Sequence, residues 1–80
     1  MNLPFKATAV YALTAKAQSD KSNAITSLTM LLEHPAGIGD HSTEDLHRNL
    51  NEALAQLDDA DSKLETLKKY FPEVKEILKE

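Results

Sequence analysis

Eighty residues, no cysteine and a net charge of −4 from 13 acidic and 9 basic side chains set narrow bounds. They allow one domain and exclude disulfides and thiolate metal sites. They also supply no electrostatic drive toward a nucleic acid polymer, which needs several phosphates neutralised. No apolar run approaches the roughly 20 residues that span a bilayer, so a membrane is not expected as a partner either.

The opening stretch MNLPFKATAVYALTAKAQ imitates a secretory leader, with one lysine ahead of an Ala-rich segment. Thr8 and Thr14 interrupt its apolar part, so a cytoplasmic protein is expected instead. From Phe5 to Leu32 the chain has neither glycine nor proline, and a first helix is predicted over residues 5–33. Val10, Leu13, Ala17, Ala24, Leu28 and Leu31 fit one apolar stripe, with Asp20 or Lys21 filling the gap and Ile25 and Leu32 widening it. The weak point is QSDKSN, because Ser, Asp and Asn favour caps and turns over helix interiors. A break near residues 19–23 therefore stands as an alternative to one long helix.

The next segment, EHPAGIGDHST, holds both glycines of the chain, and a turn is predicted over residues 34–42. His34 precedes Pro35, which pushes it out of helical geometry. Gly37 and Gly39 permit the positive φ that a tight reversal requires. Ile38 is expected under the turn, closing the core, and Ser42 or Thr43 caps the following helix. Most of the stretch is thus accounted for as a turn. His34, Asp40 and His41 are not.

Three kinds of chemistry can be read from this segment. The first is a metal site drawing on Glu33, His34, Asp40, His41, Glu44 and His47. Glu44 and His47 have the Glu-x-x-His spacing of di-iron bundles, but such a site needs two of those pairs plus further glutamates. No metal or other cofactor is expected. The second is a nucleotide-like anion held where a glycine-containing loop runs into a helix N-terminus. His34, Gly37, Gly39, Asp40, His41, Ser42 and Thr43 would form that site, with Tyr11 as a stacking surface and Arg48, or Lys16 or Lys21 of another subunit, as the basic group. The third is catalysis through Asp40–His41–Ser42. Adjacent residues do not supply the spatial geometry of a triad, and no catalytic residue is assigned.

A second helix is predicted over residues 43–71. Leu46, Leu50, Ala53, Leu57, Ala60, Leu64, Leu67 and Phe71 follow alternating spacings of four and three, the heptad seam of a helix packed lengthwise on another. Ala53 and Ala60 narrow the seam and let the partner backbone come closer. Glu44 and Asp45 in the first turn and Lys68 and Lys69 in the last complement the helix dipole. Glu65 stands four residues before Lys69, a favourable pair. Pro72 stops the helix, and a short helix over 72–79 carries Val74, Ile77 and Leu78 on one face.

Residues 6–33 and 44–71 are equal in length, about 42 Å each as helix. The fold class is therefore all-α: a long antiparallel helical hairpin with a short C-terminal helix, forming a helical bundle on oligomerisation. Phe5, Val10, Tyr11, Ile25 and Leu54 do not fit one narrow seam together, so a second contact surface is expected. It is covered by another copy, as a homo-oligomer of two or more chains, or by the folded-back C-terminal segment.

The run EHPAGIGDH, followed by a heptad helix ending SKLETLKKYF, resembles a group of small helical-hairpin proteins of tailed phages and environmental sequences. The resemblance spans roughly residues 31–71 and rests on His34, Pro35, Gly37, Ile38, Gly39, Asp40 and His41. It implies a phage setting, hence the cytoplasm of a host cell, and carries no catalytic residues with it. The expected function is a non-enzymatic accessory protein acting as an oligomeric helical interaction module that can meet a host protein. A ligand-sequestering protein, holding a nucleotide-like anion near the His34–Thr43 turn, is the alternative.

Overall fold

The computed structural model describes residues 4–33 and 43–72, and these form an all-α hairpin. Helix α1 spans Phe5–Glu33 and helix α2 spans Thr43–Tyr70, packed against one another along their length. The chain is a rod of 54 × 21 × 16 Å. The short helix expected over 72–79 falls almost wholly outside the described residues.

Helix α1 runs unbroken through residues 19–23, which decides between the two alternatives left by the sequence. Hydroxyl side chains elsewhere in the helix are accommodated without a break. Thr8, Thr14 and Thr26 each donate to the carbonyl four residues earlier, on Pro4, Val10 and Ser22, at 3.2, 2.8 and 3.0 Å. Those bonds satisfy side chains that would otherwise compete for the backbone. At the weak stretch itself, Lys16 Nζ holds both carboxylate oxygens of Asp20 at 2.9 Å. Ser19, Ser22 and Asn23 face solvent, while Ala17 and Ala24 on either side are buried. Tertiary packing on both flanks outweighs the poor local propensity.

The seam of α2 follows the sequence expectation. Ala53 and Ala60 are buried, and Leu46, Leu50, Leu57, Leu64, Leu67 and Phe71 are half-buried between them. The seam of α1 differs from it at one turn. Residues Ala7, Val10, Thr14, Ala17, Lys21, Ala24, Leu28 and Leu31 are buried or half-buried, an unbroken alternation of three and four. Leu13, expected in that stripe, is 57% exposed, and Thr14 takes its place. Threonine is smaller than leucine and its hydroxyl is already satisfied by Val10, so it fits between closely spaced helices where leucine would hold them apart. Ile25 and Leu32, expected to widen the stripe, are exposed, whereas Val10 lies within it.

The register is fixed at two levels. At the open end, Ala7 and Val10 pack with Leu67 and Phe71, and Lys6 Nζ lies 5.4 Å from the centre of the Phe71 ring. Further along, Lys21 Nζ reaches Asp61 Oδ1 across the helices at 3.2 Å. Lys21, rather than Asp20, therefore bridges the gap in the α1 stripe. Ala17 and Ala24 on α1 and Ala53 and Ala60 on α2 are all buried, so both helices present small residues to the middle of the seam, which lets the two axes approach closely.

The helix ends are also as the sequence suggests. Glu44 and Asp45 lie in the first turn of α2 and Lys68 and Lys69 in the last, so both ends complement the macrodipole. The expected pairing of Glu65 with Lys69 is not the one that forms. Lys69 Nζ sits 5.3 Å from the centre of the Tyr70 ring, and the four-residue ion pair lies a turn and a half earlier, between Asp59 and Lys63 at 2.9 Å.

Candidate functional site

The residues singled out by the sequence divide by position. His34, Gly37, Gly39, Asp40, His41 and Ser42 lie outside the described residues, as does Ile38. Thr43 is the first residue of α2 and Glu33 the last of α1, so these two stand at the closed end of the hairpin. Tyr11 does not join it within one chain. It stands 22 residues before Glu33 on the same straight helix, about 33 Å away. Glu44 and His47 both face solvent on the first two turns of α2. Among the described residues, no group of three or more His, Asp or Glu side chains gathers as a metal site would require.

What the described residues do present is surface on a thin core. Their buried side chains are five alanines and one valine. Against that, Phe5, Tyr11, Leu13, Ile25, Met30, Leu32, Leu54 and Tyr70 are all exposed, from 44% at Ile25 to 87% at Phe5. These residues occur on several sides of the rod.

One concave feature lies along a flank of the seam. A shallow groove between the helices is lined by Leu13, Ala17 and Leu67, with Lys16, Asp20 and Lys63 beside them. The charges there neutralise one another. Lys16 pairs with Asp20 and Lys63 with Asp59, and the hydrogen bond from Lys63 to Asp59, helped by that carboxylate's charge, raises the lysine pKa above its usual value. A groove whose cations are already paired offers little to an anion. At the start of α2, Arg48, named from the sequence as a basic group, is paired with Asp45. Lys21, the other candidate, is engaged by Asp61.

No family model, curated protein or solved structure matches this chain. Among the described residues no helix is long and apolar enough to cross a membrane.

Sequence reasoning missed Ala7 and Thr14 as seam residues. A signal for both was present, since only they continue the alternation of three and four from Ala17 toward the N-terminus together with Val10. A count of large apolar residues selects Leu13 instead.

Proposed function

We propose that this chain is a non-enzymatic accessory protein, of the phage type that residues 31–71 resemble, acting as an oligomeric helical interaction module. One observation carries the reading: the only fully buried side chains among the described residues are alanines and one valine, while eight large apolar side chains are exposed. Burying a methyl group contributes roughly 0.8 kcal/mol, whereas fully burying a leucine, isoleucine or phenylalanine contributes about 1.5–3 kcal/mol. A substantial part of the apolar free energy of the described residues is thus unused within one hairpin. Association of hairpins is the direct way to use it, as in helical bundles built from paired hairpins. A homo-oligomer in the cytoplasm, with a further protein recognised by its helical surface, is the form of module these residues favour.

Sedimentation equilibrium of the full chain tests this. Between about 1 and 100 µM the expected mass is twice 8.9 kDa or a higher multiple. A mass of 8.9 kDa throughout would remove the reading.

A further inference from the structure

We draw no further inference here: the strongest candidate, the shallow groove between α1 and α2 lined by Leu13, Ala17 and Leu67 beside the Lys16–Asp20 and Lys63–Asp59 pairs, is an unpartnered apolar surface whose flanking charges already satisfy one another, and nothing in the structure shows what covers it.

Discussion

Replacing Ala60 by leucine should destabilise the hairpin by about 2 kcal/mol, within the range found for overfilling a packed interior. For a chain of this length that corresponds to a fall of roughly 8–16 °C in melting temperature. Ala60 is 1% exposed on the seam of α2, and Ala17 on the facing seam of α1 is 2% exposed. A leucine at position 60 has no room there unless the helix axes move apart. Separation there would also strain the neighbouring Lys21–Asp61 pair. Ala55→Leu provides the control, since Ala55 lies on the exposed face of α2 and leucine is an equally good helix former. That variant should stay within about 0.5 kcal/mol of the parent. Equal melting temperatures for the two variants would mean that the alanine seam does not set the helix spacing.

The second large effect belongs to the open end. Phe71→Ala should cost about 2 kcal/mol, less than the 3–5 kcal/mol typical of a fully buried phenylalanine because Phe71 is only half-buried. Phe71 is the largest side chain packed against Ala7 and Val10, and its ring also lies beside the Lys6 ammonium. With Phe71 gone, the first turns of α1 and the last of α2 lose the contact that joins them. Amide exchange should therefore accelerate there first, with the middle of each helix, around Ala17 and Ala60, retaining its protection. Tyr70→Ala, at a neighbouring but exposed position, should leave that exchange pattern unchanged. Uniform acceleration along both helices in Phe71→Ala would contradict a local role for this cluster.

The two helices were not equally legible from the sequence. The seam of α2 is written in leucine, alanine and phenylalanine against a charged background, so spacing alone identifies it. Helix α1 is written in alanine, threonine and serine with only five charges between Phe5 and Glu33, and its apolar contrast is low all round. Spacing there admits either Leu13 or Thr14 between Val10 and Ala17. Size settles the choice, since the close approach of the helices favours the smaller side chain. Continuity through QSDKSN was equally undecidable from propensity, because Ala17 and Ala24 anchor the helix by contacts with α2 that a local reading does not contain. The turn expected from Pro35, Gly37 and Gly39 lies outside the described residues. The remaining question at that end concerns His34, Asp40 and His41, which turn chemistry does not require.

The most direct measurement of whether a second copy completes this fold is the thermal midpoint of the unmodified chain as a function of its concentration. A species that binds the native but not the unfolded state raises the midpoint by mass action, and here that species is the chain itself. Melts followed by circular dichroism at concentrations about 100-fold apart should show the midpoint rising by several degrees at the higher concentration. Superimposable melts at both concentrations would contradict the proposed assembly.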